Sequence, residues 1–184
     1  MKYLFFLAFL FLGISCKQSN KYKEVSELNL DDIRIRDPYI VPDASTKTYY
    51  MYAQMGNRAD AKERGVEVYS SKDLKTWSGP EPVFILPEEF WANHQVWAPE
   101  VHLYKDKYYL FVTLSCRDTL ATPRPIITEN WPKLVKRASQ VFVSESPTGP
   151  FKPFDNTPHT PIEWSSLDGT LFVEDGIPYM IFCH

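Results

Sequence analysis

Asp37, Glu100 and Asp168 share a setting: each opens a short apolar run that an aromatic run answers after a turn. The first copy is Asp37-Pro38-Tyr39-Ile40-Val41, answered by Tyr49-Tyr50-Met51-Tyr52. The second is Glu100-Val101-His102-Leu103-Tyr104, answered by Tyr108-Tyr109-Leu110-Phe111. The third is Asp168-Gly169-Thr170-Leu171-Phe172-Val173, answered by Tyr179-Met180-Ile181-Phe182. The acids recur roughly every 60 to 70 residues, an interval suited to β-propeller blades with long loops. Radial repetition brings the same strand end of every blade to one axis, so three acids distant in sequence would meet in one cavity. Carboxylates gathered there repel one another and raise at least one pKa, which acid–base chemistry uses. Singly, each acid has a plainer reading: Asp37-Pro38 and Asp168-Gly169 as turns, and Glu100 after Pro99 as an exposed strand end.

The elements that must position these acids are strands. Runs rich in Val, Ile, Tyr and Phe predict strands at 38–41, 48–53, 66–70, 101–104, 108–114, 140–144, 170–173 and 179–182. Turn formers separate them, among them Pro42-Asp43-Ala44-Ser45, Lys105-Asp106 and Glu174-Asp175-Gly176. No window carries a helical period, and 15 prolines oppose long helices. The fold class expected is antiparallel all-β. A second phrase repeats in step: Val68-Tyr69-Ser70-Ser71-Lys72-Asp73-Leu74-Lys75-Thr76-Trp77 and Val141-Phe142-Val143-Ser144-Glu145-Ser146-Pro147-Thr148-Gly149-Pro150-Phe151 each run from an apolar strand through a polar turn to a large aromatic. That aromatic is expected to plug the space between neighbouring blades. Residues 33–97 then hold one unit, 98–166 a second, and 167–184 begin a third. A propeller needs four or more blades to close, so the chain reads as truncated at its C-terminus.

At 184 residues the chain can bury one sizeable core, and 44% hydrophobic with 23% charged residues is a globular composition. Aromatics at 15% suit strands and also suit sugar recognition, where flat rings stack on pyranose or furanose faces. A formal charge of -3 gives no electrostatic reason for a nucleic-acid partner. Met1-Lys2, the apolar run from Tyr3 to Ile14 and Leu12-Gly13-Ile14-Ser15-Cys16 resemble a bacterial lipoprotein signal, with Cys16 as the lipidated residue. An ordinary secretory signal with an incidental cysteine is the alternative. Residues 1–16 are thus signal, 17–30 a tether and 31–184 the propeller domain, exported and held at a membrane on the periplasmic side or the cell surface. Cys116 and Cys183 read as two buried thiols, a disulfide being permitted by export but not indicated.

Arg36-Asp37-Pro38-Tyr39-Ile40, Val96-Trp97-Ala98-Pro99-Glu100-Val101-His102 and Ser166-Leu167-Asp168-Gly169-Thr170-Leu171-Phe172 together resemble glycoside hydrolase family 43. Ser71 to Trp77 and Pro147 to Phe151 look like that family's blade turns, and the resemblance runs from residue 33 onward. It implies a five-bladed β-propeller, of which two blades and the start of a third are present. It also implies inverting hydrolysis of arabinose- or xylose-containing glycans, with Asp37 as general base and Asp168 as the carboxylate that keeps the general acid's pKa high. The family's general acid is a Glu in a later motif that this chain does not contain; Glu174 lies too close to Asp168 to be it. No organic cofactor is required, and an axial calcium ion occurs in relatives.

Further candidates are Trp97, for stacking on a sugar or for core packing, and Glu100, for hydrogen bonds to substrate hydroxyls. Arg36 is suited to pair with one of the acids or to lie on the surface, while His94 and His102 read as structural. The stretch from Arg117 to Lys136, with Pro123, Pro125, Trp131 and Pro132, is a candidate for substrate selectivity. Its Lys133 and Lys136, with Arg137, read as solvated charges. Two rivals stay open: a non-catalytic carbohydrate-binding propeller lipoprotein, and a five-bladed glycosidase or glycoside phosphorylase of another clan.

Overall fold

A computed structural model describes residues 27–57, 62–120 and 134–184. The signal segment with Cys16, most of the tether, and Pro123, Pro125, Trp131, Pro132 and Lys133 lie outside the described residues. The rest forms eleven strands: β1 (Leu28–Asn29), β2 (Tyr39–Asp43), β3 (Thr48–Gln54), β4 (Gly65–Ser71), β5 (Thr76–Ile85), β6 (Val96–Tyr104), β7 (Lys107–Thr119), β8 (Val135–Ser144), β9 (Lys152–Pro153), β10 (Leu167–Glu174) and β11 (Ile177–Cys183). They pair antiparallel into three sheets, ordered β1-β5-β4-β3-β2, β6-β7-β8-β9 and β10-β11. These are two blades and the opening hairpin of a third. Of the innermost strands, β6 contacts both β2 and β10.

Alternation along the strands builds the seams. On β3 and β4, Tyr52, Val66 and Val68 face the second blade, while Met51 and Tyr69 on the opposite face join Ile33 and Trp77 in a separate cluster. The second blade answers with Val101, Leu110, Val112 and Phe142, whose ring lies 4.3 Å from that of Phe84. The two repeated aromatics are both buried, yet they do different work. Phe151 fills the seam: its N–H donates to Val83 O at 2.8 Å, and its ring meets Tyr52 edge-on at 6.4 Å. Trp77 packs on the far face of the first blade instead.

Three features differ from the sequence expectation. Residues 76–85 form a ten-residue strand where the sequence reading places none; beyond its short pairing with β1 its outer side is a sheet edge, and the ladder to β4 shifts register twice, between Val66 and Glu67 and between Val68 and Ser70. An edge strand tolerates prolines, because the missing N–H would face away from the sheet. Leu28 and Asn29, placed in the tether, pair with Trp77 and Thr76 and extend the first blade. Cys183 is exposed rather than buried, because β11 is the outer strand of a two-stranded sheet. Cys116 is buried, its thiol 3.0 Å from Trp91 O, and both cysteines are free.

Replacing the seam aromatic tests this packing. Phe151→Ala in the full-length protein should lower unfolding free energy by about 3–5 kcal/mol, as buried Phe deletions do, whereas Phe154→Ala, at 59% exposure, should cost far less. Equal urea midpoints for the two variants would contradict the seam.

Candidate functional site

Each inner strand starts through a residue in the left-handed backbone region: Asp37 at φ 50°, Ala98 at 43° and Asp168 at 52°. Left-handed geometry costs an ordinary residue roughly 1 kcal/mol or more, and Asp bears it better than Ala because its carboxylate can hydrogen-bond locally. In the second and third blades the ladder skips at this point, between Trp97 and Glu100 and between Leu167 and Thr170. A kink of this kind turns one side chain out of the strand's alternation.

The kinks correct the phase of the repeat. Asp37-Pro38-Tyr39, Ala98-Pro99-Glu100 and Asp168-Gly169-Thr170 are the equivalent triplets, so the position equivalent to the two aspartates holds Ala98. Glu100 sits two residues further in, equivalent to Tyr39 and Thr170. From there it binds across the axis. Thr170 Oγ1 donates to Glu100 Oε2 at 2.7 Å, and His102 Nε2 lies 3.1 Å from the same oxygen. The His102 ring also packs 5.4 Å from Tyr39 and 5.4 Å from Phe111. Residues of all three blades therefore meet around Glu100. Both histidines singled out in the sequence sit in packed settings; His94 is half-buried, and burial with the charges of Arg117 and Arg64 lowers its pKa.

The acids interact. Burial, then the charge of Asp37, then that of Glu100 push the Asp168 carboxyl above its ordinary range, against the pull of Arg137. The hydrogen bond from His102, aided by Thr170, holds Glu100 below its ordinary range despite burial. Arg36 Nε lies 3.3 Å from Asp37 Oδ2, with both side chains largely exposed, so the pair adds little energy.

Arg137 is not the solvated charge expected from its lysine neighbours. It is half-buried on β8, with its guanidinium 4.6 Å from the Trp97 ring centre and its Nε sealed from solvent. Trp97 consequently has one face covered by a cation. Trp97 also lines a pocket of about 240 Å³ with Gln54, Arg64, His94 and Gln95. Lys136 is partly exposed and lies 3.3 Å from Asp118 Oδ2. No cluster of three or more His, Cys, Asp or Glu that could hold a metal occurs among the described residues. Near the axis the Glu100 carboxylate and the His102 imidazole are already engaged with each other.

The sign of the Glu100 shift sets a pH test. A carboxyl depressed in the folded state stabilises above its unfolded pKa, and that contribution is lost as pH falls through the folded value. Asp168, raised, acts oppositely. Glu100→Gln should therefore flatten the fall in stability as pH drops below the ordinary glutamate range, read as unfolding midpoints. A profile parallel to wild type would contradict the Glu100–His102–Thr170 link.

Comparison with known proteins places these features. The family model described as glycosyl hydrolases family 43 matches residues 32–184. An endo-arabinase structure from Bacteroides thetaiotaomicron superposes with a TM-score of 0.67 at 35% identity, covering 86% of this chain and 48% of that one. An endo-1,4-beta-xylanase structure from the same organism gives a TM-score of 0.57 at 27% identity, covering 82% of this chain and 43% of that one. The extracellular endo-alpha-(1->5)-L-arabinanase 1 of Bacillus subtilis is 33% identical over 60 residues, 29% of this chain and 19% of that protein. The chain thus spans under half the length of these relatives. With two blades, a third hairpin and the kinked aspartates within the matched residues, the chain belongs to glycosyl hydrolases family 43.

Proposed function

We propose that the full-length protein is an exported glycoside hydrolase that cleaves arabinose- or xylose-containing glycans with inversion at the anomeric carbon. The observation that carries this reading is the pair Asp37 and Asp168, each at the left-handed start of an inner strand, with the Asp37 charge acting on Asp168. Inverting hydrolysis requires one carboxylate to take a proton from water and a second carboxyl, roughly 6.5–9.5 Å away, to protonate the leaving oxygen. The family resemblance supports Asp37 as the base, and its carboxylate lies at the surface beside Arg36. Water attacks the anomeric carbon as the bond to the leaving oxygen breaks, and the general acid's proton passes to that oxygen. This acid lies outside residues 1–184, and Asp168 keeps it protonated until it is needed. Trp97, with one face taken by Arg137, offers its remaining surface to the sugar, and Glu100 meets substrate hydroxyls through Oε1 while Oε2 stays with Thr170 and His102.

The endo-arabinase and arabinanase relatives support an arabinose-containing substrate, and the extracellular one supports export. Anchoring through a lipid on Cys16 follows from the signal-like segment before it.

Asp37→Asn in the full-length protein should lower release of arabinose or xylose from oligosaccharides by at least about 10²-fold, the lower range for a lost general base, with KM little changed. Undiminished turnover would remove Asp37 from the mechanism. A wild-type protein that binds these sugars without cleaving them would favour the carbohydrate-binding alternative.

A further inference from the structure

The prolines that follow two of the three kinks give the third its interest. Pro38 and Pro99 have no N–H, so the backbone just after Asp37 and Ala98 needs no acceptor. Gly169 has one, and it lies at the buried junction with the second blade. Its N–H donates to Ser139 Oγ at 3.1 Å, and the N–H of Asp168 itself donates to Thr113 Oγ1 at 2.9 Å. Both hydroxyl-bearing residues are sealed from solvent, Thr113 at 1% and Ser139 at 0% exposure.

These two side chains are paired by the sheet. Thr113 on β7 stands directly opposite Ser139 on β8, so both project from one face of the second blade, while Leu110, Val112 and Leu114 on β7 alternate to the other face and the seam with the first. Ser139 is held in turn: its N–H donates to Thr160 Oγ1 at 2.9 Å, and Thr160 and Ser166 share a hydroxyl contact of 2.6 Å. The approach is close enough to demand glycine. A Cβ on residue 169 would sit 2.8 Å from Ser139 Cβ and 2.9 Å from its Oγ.

We propose that Thr113 and Ser139 are positioning residues: their hydroxyls take up the two backbone N–H groups freed by the kink and thereby fix where the Asp168 carboxyl points. The role in turnover rests on the glycosidase reading above; the latch itself does not. Neither residue touches the substrate. Each supplies an acceptor where the ladder supplies none, since an unpaired N–H in this junction would pull the kink toward a different backbone conformation.

Thr113→Val and Ser139→Ala, made in the full-length protein, test this by amide hydrogen exchange and by kinetics. The Asp168 amide in Thr113→Val and the Gly169 amide in Ser139→Ala should exchange at least about tenfold faster than in wild type, with other β10 amides unchanged. The value of kcat should fall roughly 10- to 100-fold, the cost of a misplaced catalytic group, with KM within about twofold. Thr113→Ser should restore both readouts, because it returns the hydroxyl. Unchanged exchange at both amides overturns the latch, and faster exchange with unchanged kcat overturns its positioning role. Variants whose whole β10 strand exchanges faster, with Thr113→Ser no better than Thr113→Val, would show packing alone at work. Should the wild-type protein hydrolyse none of these glycans, the glycosidase reading fails and exchange alone decides the latch.

Discussion

The left-handed residue at the start of each inner strand is the constraint on which the arrangement of this chain depends. A β-strand alternates its side chains strictly, so an acid placed within it points either into a seam or away from one. A single residue at positive φ interrupts that alternation. Asp37, Ala98 and Asp168 all adopt it, and at the two aspartates the interruption lets an inner strand present a carboxylate at its start. The energetic cost, about 1 kcal/mol or more per site, is borne by the hydrogen bonds and packing around it. The surroundings differ at each site: proline removes the donor after two kinks, and buried hydroxyls satisfy both donors of the third.

The seams convert three local kinks into one site. Phe151, Phe84 and Phe142 lock the first blade to the second through apolar contact, while the second and third are tied by hydrogen bonds as well, Glu100 with Thr170 and Thr113 with Asp168. Apolar packing fixes distance and tolerates rotation; hydrogen bonds fix direction. The second seam is therefore the one that orients the third blade's acid. The same closeness concentrates negative charge, which is why Asp168 is raised while Glu100, supplied with donors, is lowered.

Much of this was legible in the sequence because it is written in short runs of β-branched and aromatic residues. Tyr49 to Tyr52, Val66 to Tyr69 and Tyr108 to Leu114 announce strands, and their spacing announces blades. Residues outside those runs carry less signal. Pro80 and Pro82 hid β5, since an edge strand's tolerance of proline depends on which neighbours it lacks. Glu100 was set in register with the aspartates because an acid before an apolar run looks the same whether or not a kink lies two residues upstream. Arg137 was grouped with Lys133 and Lys136, though the side of β8 it occupies is that of Ser139, toward Trp97. Thr113 and Ser139 gave no signal, because a hydroxyl inside a strand of Val, Leu and Phe reads as one more small core residue.

The kinks bring Asp37 and Asp168 into one electrostatic site. Carboxyl-carbon NMR titration of Asp168 in wild type and in Asp37→Asn measures this directly. With the Asp37 charge removed, Asp168 should titrate at lower pH than in wild type while remaining above the usual Asp value, because burial and Glu100 still act on it. An Asp168 titration that does not move would mean the two aspartates do not share a site, and the account would be wrong.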